Sequence, residues 1–228
     1  MSLYALGDLH LSFGTDKPMD VFGGKWQGYV EKLRRGLACI TPEDTTVLLG
    51  DVSWGLDMES AREDFAFLSA IPGRKIILKG NHDYWWSTAS KFRKFCEAND
   101  FADLHVLNNN CFFYGDIAIC GTRGWFFEEE QAGGHDEKIF RRELGRLETS
   151  LKAAGEGEKY CFLHYPPLYR GYTCPEIISL MEAYGVTRCY YGHLHSDSHK
   201  LAVEGLHGGI EYRLAAADFV DFTPIRVL

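Results

Sequence analysis

Leu3-Tyr4-Ala5-Leu6-Gly7-Asp8-Leu9-His10 opens the chain with a short apolar run, broken by glycine and followed by a carboxylate and an imidazole two residues apart. Runs of this length bounded by turn residues read as buried β-strands. The same plan recurs at Val47-Leu48-Leu49-Gly50-Asp51 and at Lys75–Leu78 leading into Gly80-Asn81-His82-Asp83. It returns at Tyr160–Leu163 leading into His164, and at Arg188–Tyr191 leading into Gly192-His193-Leu194-His195. Cys111–Tyr114 and Ile117–Cys120 read as further strands without such an ending. In an α/β sheet the carboxyl ends of the strands share one edge, so five such loops are expected to converge on one crevice.

Between the strands lie amphipathic stretches. Trp26–Leu37 sets Trp26, Val30, Leu33 and Leu37 at helical spacing, and Asp57–Ala70 does so with Ala61, Phe65 and Leu68, with Asp57 as candidate cap. Trp85–Ala98 and Lys138–Ala153 read as helices too. After Ser196 the pattern turns to strands, with Gly205 and Gly208-Gly209 bracketing hairpins. Phe126–Asp136, Glu-rich and then Gly-Gly, reads as a mobile surface insertion. No repeat, charge run or Pro/Ser-rich linker divides the 228 residues, so one α/β domain over 1–228 is expected.

Composition narrows the class. With 24 Lys+Arg against 32 Asp+Glu, the formal net charge is −8, which argues against sequence-independent nucleic-acid binding and against docking on anionic membrane. No apolar run approaches the ~18 residues of a membrane span, and no basic segment followed by an apolar one marks a signal peptide. The seven cysteines show no CxxC spacing and several sit in apolar runs, so buried free thiols in a reducing cytoplasm are expected.

The loop residues carry the chemistry. In extended chain, residues i and i+2 point the same way, so Asp8/His10 and His193/His195 would each deliver two side chains to one point. The glycines before Asp51, Asn81 and His193 let backbone crowd a small object or adopt positive φ. Carboxylate, amide oxygen and imidazole form a mixed O/N set suited to Mn²⁺, Fe, Co²⁺ or Zn²⁺. Asp8, His10, Asp51, Asn81, His164, His193 and His195 are too many for one ion; if one carboxylate bridges, they divide between two metals about 3.5–4 Å apart. A lone DxH or HxH arises by chance. Five such segments in order, each ending an apolar strand, do not.

Asp8-x-His10, Gly50-Asp51, Gly80-Asn81-His82-Asp83, His164 and Gly192-His193-x-His195 together resemble the five blocks of the calcineurin-like metallophosphoesterases, and more narrowly a bacterial phosphohydrolase of that superfamily. The resemblance implies a four-layer α/β-β-α sandwich, two mixed sheets flanked by helices, with a two-metal site at the strand ends. It implies one ion on Asp8, His10, Asp51 and His195, a second on Asp51, Asn81, His164 and His193, and Asp51 as bridge. Mn²⁺ is the first choice, with Fe, Zn²⁺ and Co²⁺ as alternatives. His82 would then approach the leaving-group oxygen as general acid, oriented by Asp83. Two cations would lower the pKa of a bridging water, giving hydroxide for in-line attack on phosphorus.

Departures from the family pattern bear on substrate. Gly50-Asp51-Val52-Ser53-Trp54-Gly55 has Trp54 where the protein phosphatases of the superfamily carry a phosphate-binding arginine, which puts that activity in doubt. Arg123, in Gly121-Thr122-Arg123-Gly124-Trp125, is the candidate replacement, able to offer a bidentate fork to phosphate; its bland alternative is a surface salt bridge. Trp54, Trp85, Trp86 and Trp125 read first as core or loop anchors, and His105, His135, His199 and His207 as structural or solvated. The expected activity is cytoplasmic hydrolysis of a small phosphomonoester or phosphodiester. The competing readings are a metal-stabilised scaffold that binds a partner, and a nuclease, for which the net charge is unfavourable. Two carboxylates against two divalent ions leave a cationic pocket in an acidic surface, which suits a small phosphoester better than a long strand.

Overall fold

A computed structural model describes residues 1–126 and 134–228. Most of the segment read as a mobile insertion, residues 127–133, lies outside the described residues. The first half contains β1 (Leu3–Leu6), α1 (Tyr29–Leu37), β2 (Thr45–Leu48), α2 (Arg62–Ser69), β3 (Arg74–Ile77), α3 (Ala89–Ala98) and β4 (Leu104–Val106). The second contains β5 (Phe112–Tyr114), β6 (Ile117–Thr122), α4 (Gly134–Ala153), β7 (Lys159–Leu163), the short pair β8 (Leu168–Tyr169) and β9 (Tyr172–Thr173), and α5 (Pro175–Ala183). It continues through β10 (Val186–Tyr191), β11 (Gly205–His207), β12 (Ile210–Leu214) and β13 (Ile225–Arg226).

Two mixed sheets result. The first has order β13-β1-β2-β3-β4, the second β11-β12-β10-β7-β6-β5. Within each, the central strands run parallel and antiparallel partners sit at the margins: β13 on β1, β5 on β6, β11 on β12. Parallel strands must have both faces covered, and here they do. Between the sheets Leu3, Ala5, Val47, Leu49 and Ile76 meet Ile119, Tyr160, Phe162 and Tyr190 in one core. Outside the first sheet, Leu6, Leu48 and Ile77 pack against Leu33, Phe65 and Phe92 of α1, α2 and α3. Outside the second, Cys120, Cys161 and Cys189 pack against Leu147 and Leu151 of α4 and Ile177 of α5. Helix, sheet, sheet, helix is the four-layer sandwich expected from the resemblance.

Local chemistry explains the element ends. Tyr29, Leu33 and Leu37 recur every four residues and form the buried stripe of α1. The helix read from Trp85 begins only at Ala89, where the Thr88 hydroxyl accepts from the Lys91 amide at 3.2 Å and closes the N-terminus. Asp57 accepts from the Ser60 amide at 2.8 Å, a turn that precedes α2 instead of capping it. β4, β8, β9 and α5 escape the sequence reading; the three strands are only two or three residues long. All seven cysteines are free, five of them buried.

Candidate metal centre

The parallel strands of both sheets end on a common crevice. β1 leads to Asp8 and His10, β2 to Asp51, β3 to Asn81 and His82, β7 to His164, and β10 to His193 and His195. Bonds across the sheets fasten the two rims together. His164 Nδ1 donates to the Leu49 carbonyl at 2.9 Å, and the His193 amide donates to Asp8 Oδ2 at 3.0 Å.

Two local expectations change, for His193 and His195 do not deliver to one point: His193 joins Asp51 and His164, and His195 joins Asp8 and His10. Asp8 and His10 do not share a face by strand alternation. Both are left-handed, at φ 60° and 47°, as are Asp51 at 48° and His193 at 71°. Side chains reach that region at a cost of order 1–3 kcal/mol each, and only where surroundings impose it. Here a ladder imposes it: the Asp8 amide donates to Gly50 O, His10 to Asp51 O and Leu11 to Val52 O, each at 2.9 Å. Close approach needs glycine as well. A Cβ on Gly192 would lie 2.5 Å from Asp8 Oδ2, and one on Gly80 would collide with Asp51 Oδ1.

The seven expected ligands come together as two groups. Donor atoms of Asp8, His10 and His195 lie within 4.8 Å of one another, and so do those of Asp51, His164 and His193. Asn81 Oδ1 joins the second, 2.6 Å from His164 Nε2 and 2.9 Å from His193 Nδ1. Asp51 Oδ2 faces both groups, 3.9 Å from His10 Nε2 and 3.5 Å from His164 Nε2.

The donors fit a cation. Among the described residues, Asp51 Oδ2 is buried without a hydrogen-bond donor, and Asp8 Oδ1 meets only the His195 ring, at 3.3 Å, while imidazole nitrogens face both. An orphaned buried carboxylate oxygen is costly unless something positive meets it. Burial holds His164 and His193 down to about 3 and lowers His10 well below its ordinary value, so three imidazoles are neutral and offer lone pairs. Burial, then the charges of Asp83 and Asp8, pushes the Asp51 carboxyl well up in the absence of a cation. His195 differs. Burial acts to lower it, but the Asp8 charge and the hydrogen bonds to Asp218 and Asp8 prevail and raise it to about 10.

Around the donors stands an aromatic wall. Trp54 stacks on His10 with ring centroids 4.9 Å apart and lies 4.6 Å from His82, while Trp26 meets His10 and His195 edge-on at 5.9 Å. Trp85 is core, as expected. His82 is half-buried beside the cluster, its Nδ1 3.4 Å from the Tyr84 hydroxyl. Burial, then His195, lowers its pKa.

Asp83 has a role the sequence did not suggest. Its carboxylate accepts from the amides of Asp51 (2.8 Å), Val52 (2.9 Å), Ser53 (3.3 Å) and Gly80 (2.7 Å), and from Trp85 Nε1 (2.8 Å). These bonds bind the Asp51 loop to the Asn81 loop, and none of them reaches the His82 ring. Arg123 Nη2 is 3.3 Å from Glu143 Oε1, which Arg146 also reaches at 2.7 Å, and its guanidinium lies over Trp125 at 4.6 Å. Its carbonyl accepts the amides of His164 and Tyr165 at 3.2 and 2.9 Å, so its backbone shapes the His164 loop.

The residue that sequence reading missed is Asp218. It follows β12, is buried, and lies 3.1 Å from His195 Nδ1. Its signal was present: Leu214-Ala215-Ala216-Ala217-Asp218 is an apolar run ending in aspartate, the plan of Gly7-Asp8 and Gly50-Asp51 without the glycine. His199, read as structural or solvated, also faces Asp218, at 3.2 Å.

A calcineurin-like phosphoesterase family model matches residues 1–197, the span that contains every expected ligand. The chain belongs to that family. None of the curated proteins matches it. Among solved structures it resembles a protein of unknown function, AQ665 from Aquifex aeolicus, at 19% identity and TM-score 0.54, covering 99% of this chain and 95% of that one. It also resembles TT1561 of Thermus thermophilus at 12% identity and TM-score 0.57, covering 98% and 96%. At these identities the likeness concerns the fold alone. In this calcineurin-like phosphoesterase the described residues hold two Asp/His clusters at the shared strand ends, and no described helix is long and apolar enough to cross a membrane.

Proposed function

We propose that this calcineurin-like phosphoesterase hydrolyses a small phosphomonoester or phosphodiester with two divalent ions, one held by Asp8, His10, Asp51 and His195, the other by Asp51, Asn81, His164 and His193. The observation that carries the reading is the pair of largely buried donor groups with Asp51 Oδ2 facing both, beside a half-buried His82. Bound ions would supply Lewis acidity, activating water and neutralising phosphoryl charge. Mn²⁺ is the first candidate, with Fe, Zn²⁺ and Co²⁺ behind it, since the O/N donors accept all four.

The chain's own residues do the rest. His82 reaches the crevice from the Asn81 loop and, protonated, donates to the departing oxygen as general acid. Asp83 keeps the Asp51 and Asn81 loops in fixed relation, so the general acid and the bridging carboxylate stay aligned. Arg123 is the candidate to meet phosphate from beside the His164 loop: its Nη2 contacts Glu143 Oε1 at 3.3 Å, while its buried Nε has no hydrogen-bond partner among the described residues. The acidic composition supports a small substrate, and the free thiols support a cytoplasmic setting. After Mn²⁺ loading, an aryl phosphate or a bis-aryl phosphate should be turned over. No hydrolysis of either by protein shown to hold two ions would overturn the proposal.

A further inference from the structure

One imidazole in each donor group has an outer partner of a different kind, and the outer nitrogen of His10 has none among the described residues. On one side, His164 Nδ1 donates to a neutral backbone carbonyl, that of Leu49. On the other, His195 Nδ1 meets the carboxylate of Asp218 at 3.1 Å, leaving Nε2 toward Asp8 Oδ1 at 3.3 Å.

Asp218 is held for that contact. The Gly7 amide donates to Ala215 O at 2.7 Å and the Ala217 amide to Gly7 O at 2.9 Å, which pins the segment after β12 against the Asp8 loop. Asp218 Oδ2 accepts the Ser196 amide at 2.9 Å, and His199 Nε2 lies 3.2 Å from Oδ1. The carboxylate is 1% exposed, so water does not compete for it. It also lies outside residues 1–197, the span the family model matches. A carboxylate behind a ligating imidazole fixes the ring's orientation and tautomer and makes the ring more basic toward the metal. A carbonyl dipole does the first with less of the second.

We infer that Asp218 is a positioning residue for His195, and that it makes the Asp8–His10–His195 subsite hold its ion more tightly than the subsite of Asn81, His164 and His193. The inference rests on the two-ion reading above. It concerns the order in which the subsites fill, so it is tested without reference to hydrolysis.

Crystals of the wild-type chain loaded with one equivalent of Mn²⁺ should show anomalous scattering first at Asp8, His10 and His195. Equal occupancy, or filling first at Asn81, His164 and His193, would overturn the inference. No Mn²⁺ at either subsite, even at saturation, would instead count against the two-ion reading itself. Equilibrium dialysis of Asp218→Asn supplies the second arm. The tighter of two Mn²⁺ affinities should weaken by about 10–100-fold, the range typical of lost outer partners, while the weaker stays within about threefold. Asp218→Glu, which keeps the charge, should recover most of that loss. An unchanged tight affinity, or equal weakening of both, would overturn the role of Asp218, and the wild-type occupancy order decides the matter if the variants do not fold.

Discussion

The two sheets contribute to the crevice differently. The first supplies both carboxylates, the amide oxygen and one imidazole: Asp8, Asp51, Asn81 and His10. The second supplies imidazoles only: His164, His193 and His195. The first rim is made rigid by backbone. Left-handed Asp8, His10 and Asp51 are laddered to one another, and Asp83 binds two of the loops through five donors. The second rim is oriented through the far nitrogens of its rings, on Leu49 O and on Asp218. A carboxylate can offer an oxygen to each of two ions and a neutral imidazole cannot, so on the proposed two-ion reading the first rim would set where the ions sit and the second would complete each subsite. Neither rim is a site without the other.

That contrast can be broken at several points. Asp51→Asn, which removes the oxygen facing both groups, should lower metal content and hydrolysis together, by more than the 10–100-fold typical of an outer partner; metal analysis beside rate measurement decides it. His82→Ala should spare metal content and cost about 10²–10⁴ in rate, as loss of a general acid does. A rate unchanged on a poor leaving group would remove His82 from the chemistry. Asp83→Ala leaves several buried donors unpaired at about 1–3 kcal/mol each, so a fall in denaturation midpoint with loss of metal is expected. If Asp83 acted only by aiming His82, the variant would keep its metal and its stability.

Smaller effects sharpen the comparison. Chelation should lower the melting temperature, since an ion at 100 times its Kd adds about 2.7 kcal/mol to the native state. Equal melting with and without chelator would mean that no cation joins the rims. Asp64 tests the outer support of the first rim, where it accepts from the Ser53 hydroxyl and from the Phe13 amide at 2.7 Å. Burial raises its carboxyl from 3.8 to about 6. The native state therefore binds this proton more tightly than the unfolded chain. Its contribution is fully present below 3.8 and is lost as pH rises through about 6. Across that window wild type should lose more stability than Asp64→Asn, as read by denaturant titration; parallel curves would show that Asp64 does not titrate there.

Much of the site is legible in the sequence. Apolar runs ending in Gly-Asp, Gly-Asn-His-Asp or Gly-His-x-His name their own place, because a parallel strand delivers its following loop to one edge. The local geometry was not legible. Strand alternation offered a sufficient reason for Asp8 and His10 to converge, and the chain uses left-handed turns instead, imposed by bonds to residues some forty positions away. The contacts of Asp83 were not legible for a related reason. The resemblance implied that Asp83 orients His82, and the carboxylate itself turns inward to amides more than thirty positions back.

The sequence by itself determined the α/β class, the strands that carry the donors, and the chemical identity of those donors, because apolar length, glycine position and ligand type are local properties. The family resemblance implied how the donors divide and that Asp51 bridges; tertiary structure gave the distances that bring them together, and it alone decided that Arg123 engages Glu143 and that Asp218 stands behind His195. These are relations between loops of different sheets. They depend on how two twisted surfaces pack through Leu49, Phe162 and Tyr190, and no window of neighbouring residues contains that information.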